Sequence, residues 1–162
     1  MLKHLMLGSP RLTLAAAESM TGGRLQALIV VESGASEYFL GGITAYSLTQ
    51  KVRHLGVDRQ RAAAVDCVSA EVAREMARGA CALFGADIGL ATTGYAEPLP
   101  AREPVVPGAF WALCHRLPDN RELWCEGFAA VPGTGRAQVQ EEVARVAYAA
   151  LTDHLRHWRG RA

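Results

Sequence analysis

The chain has 162 residues, half of them hydrophobic, which is enough for a single domain (residues 1–162) with a real core. Lys+Arg 17 against Asp+Glu 16 leaves a net charge of +1, so no global field draws it to nucleic acid or to an anionic membrane. No apolar run approaches the roughly 20 residues that cross a bilayer.

The N-terminal stretch around Lys3 and His4 is broken by Gly8-Ser9-Pro10-Arg11, which makes a poor signal peptide and reads as a short helix. Residues 12–17 (Leu-Thr-Leu-Ala-Ala-Ala) predict a buried strand. The polar turn Glu18-Ser19-Met20-Thr21-Gly22-Gly23 ends it, and residues 21–31 predict a helix with Leu25, Leu28 and Ile29 on one face. This turn has two readings. In one, Thr21 caps a helix and the glycines let the chain bend. In the other, the Ser19 hydroxyl projects from a strand end, beside unpaired N–H groups able to hold an anion.

Residues 32–36 predict a loop, and residues 39–46 a second strand whose Gly41-Gly42 pair marks a bulge or a close backbone approach. Residues 49–55 predict a short helix closed by Gly56. Ser69 is a good N-cap for a longer helix with a stripe of Val72, Met76, Ala80 and Leu83, ended by Gly85. Residues 88–93 predict a short apolar strand. Residues 96–107 hold Pro98, Pro100, Pro104 and Pro107, so they form neither a regular helix nor an inner strand. Residues 109–117 and 123–131 alternate like two antiparallel strands joined at Pro118-Asp119-Asn120. Residues 136–158 predict a long amphipathic helix with Val139, Val143, Val146 and Leu151 inward. Helices interleaved with strands, then a hairpin, argue for an α/β fold with a mixed sheet covered on both faces.

Candidate chemistry centres on Ser19, Tyr46 and Lys51. If the first two strands are neighbours, their ends converge. A serine nucleophile needs a base, and lysine serves when burial or nearby cations disfavour its charged form. A tyrosine hydroxyl can relay a proton. Each also has an ordinary reading: a surface lysine, and a tyrosine anchoring a strand end. Cys67, Cys81, Cys114 and Cys125 show no Cys-x-x-Cys pair and read as reduced, buried thiols of a cytoplasmic protein. His154 and His157 read as a solvated helix face beside Arg156, Arg159 and Arg161, while His4, His54 and His115 are isolated. There is no phosphate-binding Walker loop, no Gly-x-Gly-x-x-Gly, and no basic-aromatic stripe for nucleic acid.

The segments 17–23 (Ala-Glu-Ser-Met-Thr-Gly-Gly), 39–47 (Phe-Leu-Gly-Gly-Ile-Thr-Ala-Tyr-Ser) and 51–57 (Lys-Val-Arg-His-Leu-Gly-Val) together resemble the CinA C-terminal domain family. Residues 68–73 and Thr93-Gly94 are similar to later motifs of that family, and the likeness runs from about Arg11 to Leu155. The resemblance implies a three-layer α/β/α sandwich. It implies conversion of nicotinamide mononucleotide to nicotinate mononucleotide and ammonia, without a metal or other cofactor. It makes Ser19 the nucleophile, Lys51 the general base and Tyr46 their neighbour. Thr21, Gly22, Gly23, Thr93, Gly94 and Arg136 become the substrate-binding set. The pyrophosphatase half of longer members has no counterpart in this sequence.

The chain also departs from the family pattern. Met20 stands where cysteine is usual. The glycine-rich loop becomes Thr93-Gly94-Tyr95-Ala96-Glu97-Pro98-Leu99-Pro100, with an acidic residue in its path. The Gly-Asp-Arg motif becomes Gly133-Thr134-Gly135-Arg136, with the arginine displaced by one residue. Two readings therefore stand: an amidohydrolase with a conventional or altered nucleotide substrate, and a catalytically silent paralogue that binds a nucleotide or a protein. A homodimer is compatible with the apolar content.

Overall fold

The computed structural model describes residues 2–98, 106–132 and 135–160. Among the described residues six α-helices and five strands follow one another. They are α1 (Leu2–Leu7), β1 (Leu14–Glu18), α2 (Arg24–Val30), β2 (Phe39–Thr44), α3 (Leu48–Leu55) and α4 (Arg59–Ala64). Then come α5 (Ala70–Phe84), β3 (Ile88–Tyr95), β4 (Gly108–Arg116), β5 (Glu122–Ala130) and α6 (Arg136–Arg159). The strands form one mixed sheet in the order β2-β1-β3-β4-β5. β1 is parallel to β2 and to β3; β4 is antiparallel to β3 and to β5.

The side-chain alternation of β1 explains the three layers. All five of its residues are buried, because successive side chains point to opposite faces and both faces are covered. Leu14 and Ala16 join Leu25, Ile29, Leu90, Leu113, Leu151 and Leu155, the layer of α1, α2 and α6. Ala15 and Ala17 join Val72, Met76, Ala80, Ala91 and Ala112, the layer of α3 and α5. The small side chains of β1 suit a tight fit. At Gly89 a Cβ would stand 2.0 Å from the Ala77 carbonyl oxygen, so α5 sits against β3 at glycine distance.

Chain topology places the site. From β1 the chain runs through α2 to β2 on one side, then returns through α3, α4 and α5 to β3 on the other. The carboxyl ends of β1 and β3 therefore border a crevice where connections diverge, the usual ligand position in open α/β sheets.

The predicted elements differ from the observed ones in instructive places. Residues 59–64 form α4, capped by the Asp58 carboxylate, a helix too short to show apolar periodicity. A 3₁₀ turn (Ala35–Glu37) occupies part of the predicted loop. The Gly41 expectation holds: the register slips between Leu14 and Ala15, and Gly41 has φ 142. Leu83, assigned to the inward stripe, is 45% exposed because it lies off the sheet-facing side of α5. Residues 99–105 of the proline-rich segment, and Gly133 and Thr134, lie outside the described residues.

Candidate active site

Ser19 follows the last residue of β1, where the chain leaves the sheet. Three contacts fix this corner. Gln140 of α6 donates to the Met20 carbonyl at 2.7 Å, the Thr21 and Thr92 hydroxyls share a buried 2.8 Å hydrogen bond, and Gly22 N–H donates to the Ser19 carbonyl at 3.1 Å. The fourth device is Glu18. Its buried carboxylate accepts from Gly23 N–H at 3.0 Å, Leu25 N–H at 3.1 Å and Gln26 N–H at 2.9 Å, and from the Gln26 amide at 3.0 Å. A carboxylate thus satisfies the orphan donors at the start of α2.

This corrects two sequence readings. Thr21 does not cap the helix; Gly23 occupies that position with no side-chain cap bond, and Thr21 turns inward to Thr92. The Gly22 and Gly23 amides are engaged by Ser19 and Glu18, so the helix start is not an open anion site. Thr21, Gly22 and Gly23 do not line the cavity beside Ser19. Met20 does line it, and its N–H meets no acceptor among the described residues.

Lys51 lies in α3, whose entry is set by Ser47 accepting from Gln50 N–H and whose end is Gly56 in a left-handed conformation. The lysine is 1% exposed and Ser19 is 7% exposed. Lys51 Nζ stands 2.8 Å from Ser19 Oγ, 2.9 Å from the Ala45 carbonyl and 3.3 Å from the Tyr46 carbonyl. Burial pushes its pKa below the ordinary lysine value, against an opposing pull from Cys67 and Asp66. Three acceptors match the three N–H bonds of an ammonium. Two carbonyls match the two N–H bonds of a neutral amine, leaving its lone pair for the Ser19 hydroxyl. The group is therefore hydrogen-bonded in either protonation state, and a proton can pass between Oγ and Nζ without rearrangement.

The cavity over this pair holds about 330 Å³, within the range of small-molecule sites. Tyr46, Asp66, Cys67, Thr93, Gly94, Tyr95, Glu97 and Arg136 also line it. Thr93 donates to the Cys67 carbonyl at 2.7 Å and Tyr95 donates to the Asp66 carboxylate at 2.9 Å. Asp66 and Cys67 both have positive φ, 52 and 63, a costly conformation for residues with a Cβ and one that clusters at functional sites. Sequence reasoning passed over both, because backbone conformation of non-glycine residues leaves no mark in composition.

Tyr46 takes a different place from the expected one. Its side chain is 57% exposed, and its hydroxyl accepts from Arg136 Nη2 at 2.8 Å. What Tyr46 offers the Ser19–Lys51 pair is its main-chain carbonyl. Arg136, at the start of α6, also donates through Nη1 to Glu97 at 2.9 Å. Thr93 and Gly94 border the cavity at the end of β3.

The histidines and cysteines also depart from expectation. His154 is half-buried and lies 3.0 Å from His115 Nδ1 and 3.3 Å from Cys125 Sγ, so the outer face of α6 is not simply solvated there. Cys81 and Cys114 are buried, whereas Cys67 and Cys125 are partly exposed; all four are free thiols. Among the described residues no group of three His, Cys, Asp or Glu side chains could hold a metal, and no helix is long and apolar enough to cross a membrane.

Comparison with known proteins identifies the family and the fold. The CinA C-terminal domain model matches residues 3–155, and the chain belongs to that family. A CinA-like protein of Chlorobium limicola is 48% identical over 93 residues, 57% of this chain and 22% of that protein. Another, of Chlorobaculum tepidum, is 49% identical over 111 residues, 68% of this chain and 26% of that protein. The chain thus spans about a quarter of the length of these curated relatives. Among solved structures, the competence damage-inducible protein A of Klebsiella pneumoniae superposes with a TM-score of 0.83 at 28% identity, covering 97% of this chain and 92% of that one. A CinA superfamily protein from Escherichia coli gives a TM-score of 0.79 at 25% identity, covering 93% and 83%.

Proposed function

We propose that this member of the CinA C-terminal domain family is a serine–lysine amidohydrolase. It releases ammonia from a small carboxamide of the pyridine-nucleotide kind, for which nicotinamide mononucleotide is the reference compound that the family resemblance implies. The observation that carries the reading is the 2.8 Å contact between Lys51 Nζ and Ser19 Oγ inside a cavity.

Neutral Lys51 takes the Ser19 proton as Oγ attacks the carboxamide carbon, and the carbonyl π pair moves to oxygen. The Met20 N–H, next after the nucleophile, is the candidate donor to that oxyanion. Lys51, now an ammonium, returns the proton to the departing nitrogen, and the C–N bond breaks to release ammonia. Water then attacks the Ser19 ester with Lys51 again as base, giving the acid and the free hydroxyl. Tyr46 positions Lys51 through its carbonyl and Arg136 through its hydroxyl, outside the proton path.

A second reading, a nucleotide- or protein-binding paralogue without turnover, draws on the Arg136–Glu97 pair, which engages the arginine assigned to the substrate. Ammonia release by the purified protein separates the two. Turnover abolished by Ser19→Ala supports the amidohydrolase. Ligand binding with no ammonia from a panel of pyridine carboxamides supports the second reading.

A further inference from the structure

The charged groups around the cavity are placed unequally. Among the described residues that line it, the cationic side chains are Lys51 and Arg136, and the carboxylates are Asp66 and Glu97. Lys51 is enclosed, with its nitrogen committed to Ser19, Ala45 and Tyr46, so it is not the cation that a ligand's phosphate meets at the rim. That leaves one guanidinium facing two carboxylates. The guanidinium is itself engaged: Nη1 holds Glu97 at 2.9 Å and Nη2 holds the Tyr46 hydroxyl at 2.8 Å. The two nitrogens that would form a bidentate fork on a phosphate thus already have partners. A phosphate reaching Arg136 must share the guanidinium with the Glu97 carboxylate and lie beside that charge. A hydroxyl, by contrast, can donate to Glu97 without breaking the pair.

Resting on the amidohydrolase reading for the chemistry at Ser19, we propose that this cavity selects uncharged or cationic carboxamides that lack a phosphate group, and that Glu97 is the specificity-determining residue that excludes the phosphorylated form. The substrate class is then an amide-bearing nucleoside-like molecule, and the nucleotide is the poorer ligand. The discrimination is electrostatic and sits at a partly exposed pair, with Arg136 47% and Glu97 58% accessible, so salt weakens it.

Nicotinamide riboside and nicotinamide mononucleotide form a matched pair of probes, differing only by the phosphate. Their affinities are measured by calorimetry on the full-length Ser19→Ala chain, which cannot turn them over, and ammonia release is measured separately on the unmodified chain. The proposal expects the riboside to bind at least about tenfold tighter, a difference of about 1.4 kcal/mol. It expects Glu97→Gln to shrink the ratio of the two affinities about tenfold, and raised salt to shrink it in the same direction. Equal or tighter binding of the mononucleotide overturns the proposal. So does a ratio that Glu97→Gln leaves unmoved, or binding of neither compound. Selective binding of the riboside without ammonia release sinks the amidohydrolase reading and leaves the selectivity standing.

Discussion

Lys51 and His115 are both buried basic side chains, at opposite ends of one sheet, and burial lowers the pKa of each. Their surroundings differ. Lys51 meets a hydroxyl and two carbonyls at a cavity edge, beside two residues held in a left-handed backbone. His115 meets a second imidazole through Nδ1, lies edge-on to Trp158, and its Nε2 has no partner among the described residues. The thiol that completes this chain, Cys125, is pushed up by burial and so stays protonated. A shifted pKa is therefore common to a reactive pair and to a packed one. What separates them is a nucleophile in reach of the base and room for a ligand above it.

The comparison breaks most sharply at Ser19. Ser19→Ala should cost at least about 10³-fold in ammonia release, the scale of losing a nucleophile, with the fold intact by circular dichroism. Lys51→Met and Lys51→Arg should each cost about 10²- to 10⁴-fold. The arginine variant is the more telling one, because it keeps the charge and cannot give up its proton. The sign of the pH effect follows from the lowered pKa. The rate should rise with pH as Lys51 loses its proton, with an inflection below the ordinary lysine value of 10.5. An inflection at or above that value would remove the base from this account.

His115 should behave in the opposite way, in stability and not in rate. Its pKa is lowered from 6.5 to about 4, by burial first and then by the positive charge of His154. The unfolded chain binds its proton first, so this contribution is fully present above about pH 6.5 and is lost as the pH falls through about 4. Denaturant melts should lose about 3 kcal/mol over that window, and His115→Leu should flatten the loss. The same substitution should leave ammonia release at pH 7.5 within about twofold.

Glu18→Gln tests a smaller element, the carboxylate that accepts the first amides of α2. An amide of the same shape presents one acceptor and one donor to these N–H groups, so the melt should shift by about 2 kcal/mol. Smallest of all, Arg156→Ala removes an exposed pair with Asp153 and should change stability by less than about 0.5 kcal/mol.

Much of this architecture can be read from the residues. The Ser69 cap and the Gly85 stop bound α5 as observed, because both act through local backbone chemistry. The convergence of Ser19 with Lys51 could be proposed from two strand ends and a shared pattern, since neighbouring parallel strands finish on the same edge. Other features escaped for physical reasons. Glu18 shows no separate signal as a cap, since a strand-end glutamate reads equally well as solvent-facing. The left-handed backbone at Asp66 and Cys67 follows the end of α4, where Cys67 N–H donates to the Ala62 carbonyl at 2.7 Å, and no glycine marks it in the sequence. The basic neighbours of His154 point to a solvated face, whereas its contact with His115 depends on how α6 lies across β4 and β5. The direction of the Tyr46 ring was equally hidden, because Arg136 draws it from ninety residues away.

Mass spectrometry of the protein quenched during turnover of a pyridine carboxamide tests the Ser19–Lys51 assignment most directly. An acyl adduct should appear on the peptide carrying Ser19 and be absent from Ser19→Ala. Turnover with an adduct on another residue, or undiminished ammonia release by Ser19→Ala, would contradict it.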